Sequence, residues 1–134
     1  MHLPPFQLER YFARYEFNVR HLLCCSDCES MTLKDVIDLE PGAGDKLEKL
    51  WLGYTESQGN PALRRAISRL YELIEPDHVL VHSGAEEAIF LFMHAALAPG
   101  DHVIVHWPGY QSLYEVARSI GCEVSFWEAR EERG

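Results

Sequence analysis

The stretch Val79–Leu97, VLVHSGAEEAIFLFMHAAL, decides how the rest of the chain is read. Val79, Leu80 and Val81 form a short apolar run of the kind that builds a buried strand, and His82-Ser83-Gly84 ends it. From Ala85 onward nearly every helical position is apolar, so strand, tight turn and helix follow one another without a linker. Such a junction is an anion site. The first N–H groups of a helix have no acceptor within it, and the helix dipole adds about half a positive charge there. A phosphate over Gly84, Ala85 and Glu86 would therefore be held by backbone alone, with Gly84 permitting close approach and Ser83 adding a hydroxyl.

Working outward, Asn60-Pro61 is a helix start, with Asn as N-cap and Pro in the first turn. The helix is expected to run through Leu63, Ile67, Leu70, Tyr71 and Ile74 until Pro76 stops it, with Arg64, Arg65, Ser68 and Arg69 on a solvated face. On the other side, Ala98-Pro99-Gly100-Asp101 predicts a turn, His102–His106 a second strand, and Trp107-Pro108-Gly109 its end. Tyr110–Ile120 then reads as a helix closed by Gly121, and Cys122–Trp127 as a third strand. Strands separated by helices of this length imply right-handed crossovers and a parallel sheet, which places ligands at the carboxyl ends of the strands. Those ends are Ser83-Gly84-Ala85, Trp107-Pro108-Gly109-Tyr110 and Trp127-Glu128. The first offers a phosphate cradle and the second an aromatic ring, so a phosphorylated planar ligand would satisfy both.

The first half of the chain is less regular. After Pro4-Pro5, Leu8, Tyr11, Phe12 and Tyr15 recur at helical spacing within Phe6–Phe17, an amphipathic arm whose aromatic face must be covered by the body of the protein or by a second subunit. Val19–Cys25 is short and apolar, and Ser26-Asp27 reads as a turn. Ser30 or Thr32 can cap a helix running to about Leu39, ended by Pro41-Gly42-Ala43-Gly44, and a short helix over Asp45–Trp51 follows. Gly53 then opens an extended segment, Tyr54–Gly59. The charged tail from Glu128 to Gly134 carries no pattern. The expected division is a helical arm and linker over 1–52 and the start of a ligand-binding domain over 53–134.

Composition limits the functional classes. A chain of 134 residues, 47% hydrophobic and 25% charged, is one ordinary globular domain's worth. A net charge of -9 argues against nucleic acid or an anionic membrane surface as partner, while leaving room for a small phosphorylated ligand held locally by amides. No apolar run is long enough to span a bilayer, and MHLPPFQLERYF has neither the basic start nor the apolar core of a signal peptide, so the expectation is a cytoplasmic protein. Cys24, Cys25 and Cys28 cluster beside His21, but no second Cys or His pair follows at zinc-site spacing, and reduced thiols are expected there and at Cys122. His82 and His106 lie nearer the proposed ligand than His78 and His102, which read as strand starts, and all four are expected as core or supporting residues.

Four segments in order, Tyr54-x4-Gly59-x3-Leu63-Arg64, Ser83-Gly84-Ala85-x-Glu87-Ala88-Ile89, Pro99-Gly100-Asp101-x-Val103-x-Val105-x2-Pro108-x-Tyr110 and Gly121-x-Glu123-Val124, resemble the fold type I aminotransferases of class I and II, which depend on pyridoxal 5'-phosphate. The match covers about residues 50–127. It implies a three-layer α/β/α architecture with a mostly parallel sheet, here an incomplete large domain preceded by a helical N-terminal arm. It further implies that backbone at Ser83, Gly84 and Ala85 holds the cofactor phosphate, that Tyr110 stacks on the pyridine ring, and that Tyr54 reaches the phosphate of a neighbouring subunit in a homodimer. Glu86 falls within the same turn but departs from the family pattern, which favours Thr or Ser there; a carboxylate in this place would have to turn away from the phosphate.

Chemistry with this cofactor needs a lysine able to form a Schiff base, a partner for the pyridine nitrogen and cations for the substrate carboxylate. The chain has only Lys34, Lys46 and Lys49, all before the predicted sheet. The sequence is therefore expected to be the N-terminal portion of an aminotransferase acting on an amino acid, contributing phosphate and ring contacts, and inactive alone. The alternatives are a non-catalytic truncated or split chain that binds a complementing chain, and a decarboxylase or lyase of the same fold. A nucleotide-binding doubly wound domain would require a Gly-x-Gly-x-x-Gly turn that the sequence lacks.

Overall fold

A computed structural model of the chain describes residues 2–133; the end of the charged tail at Gly134 lies outside them. The chain forms two compact units. One comprises the segment up to Arg20 together with the chain from Val81 onward, and the other is His21–Leu80.

The first unit is built on a parallel ribbon of β1 (His102–Trp107) and β2 (Glu123–Glu128), joined by α6 (Ser112–Ile120) as the crossover. Val103 is paired with Val124 and Val105 with Phe126, so these four share one face of the ribbon. On that face the buried core forms from Met93, Val116, Ala117 and Cys122, with Val103, Leu113, Ile120 and Val124 packed against it. Met93 belongs to α5 (Ala85–Ala96), which lies along α6. The opposite face of the ribbon carries Ile104 and Trp127, which are 67% and 70% exposed. Helix α5 likewise bares Leu91 and Phe92, as expected of an element apolar all round with cover on one side only.

Local signals place the ends of these elements. Gly121 closes α6 in the left-handed conformation at φ 105°, which disfavours any residue with a Cβ. In the turn before β1, Asp101 accepts the Ala98 N–H at 2.7 Å on its carboxylate while its own N–H donates to the Ala98 carbonyl at 3.1 Å. The arm appears as α1 (Gln7–Tyr15), close to its predicted bounds.

The predicted first strand is not formed. Val79 is extended, at φ −102° and ψ 124°, but Val79–Val81 enters no ladder, so the ribbon has two strands among the described residues rather than three. A strand is defined by its neighbour, and the run has extended geometry without one. His78, read as a strand start, instead closes a single 3₁₀ turn, Pro76–His78.

The second unit contains α2 (Leu33–Asp38), α3 (Ala43–Glu48) and α4 (Pro61–Ser68). Thr32 caps α2 in a reciprocal box: its hydroxyl accepts the Asp35 N–H at 3.2 Å, and the Asp35 carboxylate accepts the Thr32 N–H at 3.0 Å. Helix α3 begins earlier than predicted, because Gly42, at φ 78°, turns the chain and lets Ala43 and Gly44 join the first turn. Asn60 caps α4 through its side-chain oxygen, with Pro61 in the first turn as read.

Helix α4 is shorter than the periodicity predicts. It ends at Ser68, and Leu70, Tyr71 and Leu73 are exposed beyond it, with no packed face to extend the helix. Arg64 also departs from its expected solvated position. It is buried, donating to the Asp77 carboxylate at 2.8 Å and to the Gln58 side-chain carbonyl. A charge taken from water must be paired, and an arginine facing inward on α4 gains two acceptors.

Candidate functional site

At the start of α5, Gly84 is the N-cap, with extended backbone and no side chain to cap the helix. The first intrahelical bond is donated by Ala88 to the Gly84 carbonyl at 3.2 Å. Helix geometry therefore leaves the N–H groups of Ala85, Glu86 and Glu87 without acceptors inside α5. A Cβ built on Gly84 would meet nothing within 4 Å, so the space beside the turn is open. Ser83, Gly84, Ala85 and Glu86 are all exposed.

The carboxylate that engages the turn is Glu87. It accepts the Ser83 N–H at 2.6 Å and lies 3.9 Å from Nδ1 of the half-buried His82. This contact removes one amide from the anion-binding set and fixes the carboxylate on the Ser83 side of the helix start. Sequence reasoning placed Glu87 only in the family pattern; its reach back to Ser83, the residue before the N-cap Gly84, is side-chain geometry that the pattern does not encode.

Tyr110 stands between β1 and α6. The Trp107-Pro108 peptide bond is cis, and a Cβ on Gly109 would meet the His106 carbonyl oxygen at 2.5 Å, so the turn that delivers Tyr110 requires glycine. Tyr110 is 38% exposed, and Phe6 contacts it edge-on with ring centroids 5.0 Å apart. Below the turn, Trp107, Tyr114 and Phe126 form a mutual aromatic cluster that anchors its strand side.

Topology relates the two features. Helix α5 runs about 18 Å, the turn at Ala98–Asp101 reverses the chain, and the six residues of β1 run back about 20 Å. The carboxyl end of β1 is thereby returned toward the end of the unit at which α5 begins. A phosphate grip made of neutral amides and a hydroxyl, and an aromatic ring from the next strand end, are the donor set and the stacking surface that a phosphorylated pyridine requires. The residues fit pyridoxal 5'-phosphate in these two respects.

The remaining sequence-derived candidates are dispersed. Tyr54, in the other unit, is fully exposed. Lys34 and Lys46 are paired with Asp38 and Glu40, and with Lys49 they all belong to the unit His21–Leu80 rather than to the unit that carries the turn. Cys24, Cys25 and Cys28 are exposed, Cys122 is buried, and no cluster of metal-ligating side chains occurs among the described residues. Among the described residues no helix is long and apolar enough to cross a membrane.

Comparison with known proteins gives a consistent outcome. The family model described as aminotransferase class I and II matches residues 21–134. A PLP-dependent aminotransferase from Streptococcus suis superposes with a TM-score of 0.86 at 33% identity, covering 99% of this chain and 37% of its own. Capreomycidine synthase of Streptomyces vinaceus is 29% identical over 135 residues, which is 98% of this chain and 34% of that protein. Valine–pyruvate aminotransferase of Mycobacterium tuberculosis is 35% identical over 78 residues, 54% of this chain and 20% of that protein. The chain thus spans between a fifth and about a third of the length of these relatives.

Proposed function

The chain belongs to the class I and II aminotransferase family, whose fold is fold type I and whose cofactor is pyridoxal 5'-phosphate, and from that premise we propose that it supplies the phosphate grip and ring-stacking surface of an enzyme that transfers amino groups from an amino acid. One observation carries the proposal: within a single unit, an α5 start with open space beside Gly84 is followed by Tyr110 at the carboxyl end of the next strand. Backbone amides of Ala85 and Glu86, with the Ser83 hydroxyl, bind the phosphate. Glu87, turned to the Ser83 N–H and His82, stays off it, and the exposed Glu86 takes part through its backbone N–H rather than its carboxylate. Tyr110 orients the pyridine ring from one face. When bound, the cofactor supplies the electron sink for carbanion chemistry at the amino acid.

Tyr54 serves a neighbouring copy in this reading, reaching its phosphate in a homodimer or with a complementing chain, and its full exposure suits that role. A cytoplasmic setting is part of the same proposal. A second reading, cyclisation of an amino acid with the same cofactor, is supported by one observation: a solved PLP-dependent cyclase superposes over 98% of the chain with a TM-score of 0.83 at 30% identity, beside the aminotransferase that covers 99%.

The test is to incubate the chain with pyridoxal 5'-phosphate, reduce with borohydride and map the lysines by mass spectrometry. The proposal predicts no dominant adduct at Lys34, Lys46 or Lys49, together with saturable binding of pyridoxine 5'-phosphate that Tyr110→Ala weakens. A single dominant lysine, or binding indifferent to Tyr110, contradicts it.

A further inference from the structure

The arm and the Tyr110 turn, more than a hundred positions apart, are joined by an unusual amount of specific bonding. The Gln111 side-chain amide bonds the backbone on both sides of Phe6: its Oε1 accepts the Gln7 N–H at 2.8 Å, and its Nε2 donates to the Pro5 carbonyl at 3.2 Å. The Gln7 N–H is one of the orphan donors of α1, whose N-cap, Phe6, has no side-chain cap, so Gln111 caps the arm from across the chain. Phe6, held between these two bonds, meets the Tyr110 ring in an edge-type contact with centroids 5.0 Å apart and planes at 64°. A primary amide that both donates to and accepts from one short backbone segment fixes its position and its direction, so the ring it brackets is placed rather than merely nearby.

We propose that Phe6 and Gln111 are positioning residues: the arm, clamped by Gln111, sets the plane of the Tyr110 ring and so sets how that ring meets the pyridine of the cofactor. The inference rests on the reading of Tyr110 as the stacking residue, and goes beyond it by assigning the arm a part in the site. Neither Phe6 nor Gln111 touches the cofactor in this account. Both act through Tyr110, Phe6 by its edge-type ring contact and Gln111 by fixing the backbone on either side of Phe6.

Two readouts test this on the chain as it exists. The first needs no ligand. With tyrosine ring carbons labelled and the Tyr110 signal assigned by its loss in Tyr110→Phe, Phe6→Ala removes the ring current of the neighbouring edge and shifts that signal; Gln111→Ala shifts it in the same direction. Phe6→Tyr restores the original position. Hydrogen exchange of β1 and β2 amides, unchanged in each variant, shows that the unit remains folded.

The second readout is binding of pyridoxine 5'-phosphate, a form of the cofactor that cannot bond to lysine, followed by equilibrium dialysis and by circular dichroism of the bound ring. Phe6→Ala weakens binding by about threefold to tenfold, the range of one aromatic pair. It also lowers the ring's dichroism, whereas displacement by inorganic phosphate is unchanged. In a Tyr110→Ala background the same substitution has no further effect. A Tyr110 signal that stays put in both Phe6→Ala and Gln111→Ala overturns the clamp. So does an equal loss of binding with and without Tyr110. If the wild-type chain does not bind pyridoxine 5'-phosphate while the Tyr110 signal moves as stated, the cofactor reading fails and takes the role toward the cofactor with it, leaving only the clamp.

Discussion

The two units of this chain are held together by different physics. In the unit containing α5, β1, α6 and β2, the buried residues are mainly apolar: Met93, Val105, Val116, Ala117 and Cys122, with Ser112 as the polar exception. In His21–Leu80 the buried residues are Arg64 and Ser68, and the large apolar side chains Leu33, Leu50, Trp51, Leu52 and Leu73 stand in solvent. That unit is kept in shape by a capping box on α2, an Asn cap on α4, the Arg64–Asp77 pair and the two lysine–carboxylate pairs. Caps and exposed ion pairs each contribute little, and they stabilise local turns rather than a fold. The contrast gives a physical reason to look for the proposed anion site in the first unit: a turn and a strand end hold their geometry when a core lies beneath them, and among the described residues the buried apolar cluster belongs to that unit.

The largest effect expected from breaking this contrast is in the core. Met93→Ala removes a side chain from the centre of the α5–α6 packing and is predicted to cost about 2–4 kcal/mol, read as lost hydrogen-exchange protection in α6 and β2 while His21–Leu80 is unchanged. A comparable loss in both units would mean that they share one cooperative core. In the polar unit, Asp77→Ala strands the buried Arg64 with fewer partners and is expected to cost about 1–2 kcal/mol by denaturant titration of that unit. Arg64→Met, which leaves behind only an Asp77 already exposed to water, should cost less; the reverse order would show that the ion pair itself, rather than burial of the arginine, matters. Smaller again is Thr32→Ala, about 1 kcal/mol of helix capping, confined to amides of α2.

Acid sharpens the same contrast. Asp35 is held below the ordinary carboxylate range chiefly by the Thr32 hydroxyl, Glu40 by its hydrogen bond and charge attraction to Lys46, and Glu56 by the Thr55 hydroxyl. A depressed folded-state pKa gives stability that is present above the ordinary value and is lost as the pH falls through the lower one. All three groups lie in His21–Leu80 and are fully exposed to solvent, so the effect is modest and weakened by salt. Amides of α2 and of the Glu40 and Glu56 turns should open on acidification before those of β1 and β2. Simultaneous opening would contradict the division.

What the sequence disclosed follows the same line between local and distant causes. Thr32, Asn60-Pro61, the turn at Ala98–Asp101 and the Gly121 stop were legible because a cap or turn is decided within four or five residues. The helix of Ala85–Ala96 was legible because its apolar pattern is nearly continuous, and the parallel pairing of β1 with β2 because a crossover helix leaves little choice. The strand over Val79–Val81 was not, since its apolar run predicts burial while ladder formation needs a neighbour. Arg64 was misread for a related reason: its burial depends on Gln58 and Asp77, 6 and 13 positions away, which no periodicity encodes. At the site, the turn at Ser83–Glu86 and the strand end at Tyr110 could be read from pattern and resemblance. The Glu87 contact to Ser83 and the hold of Phe6 and Gln111 on the Tyr110 turn are side-chain geometry and emerged only with the fold.

The central claim, that the start of α5 grips a phosphate, is tested most directly by following the backbone amide resonances of the chain while pyridoxine 5'-phosphate is added. The account predicts that the largest saturable shifts fall on the N–H groups of Gly84, Ala85 and Glu86, that Ser83, already bonded to Glu87, moves less, and that inorganic phosphate in excess reverses them. Saturable shifts centred elsewhere, with the amides of Gly84, Ala85 and Glu86 unmoved, would contradict it.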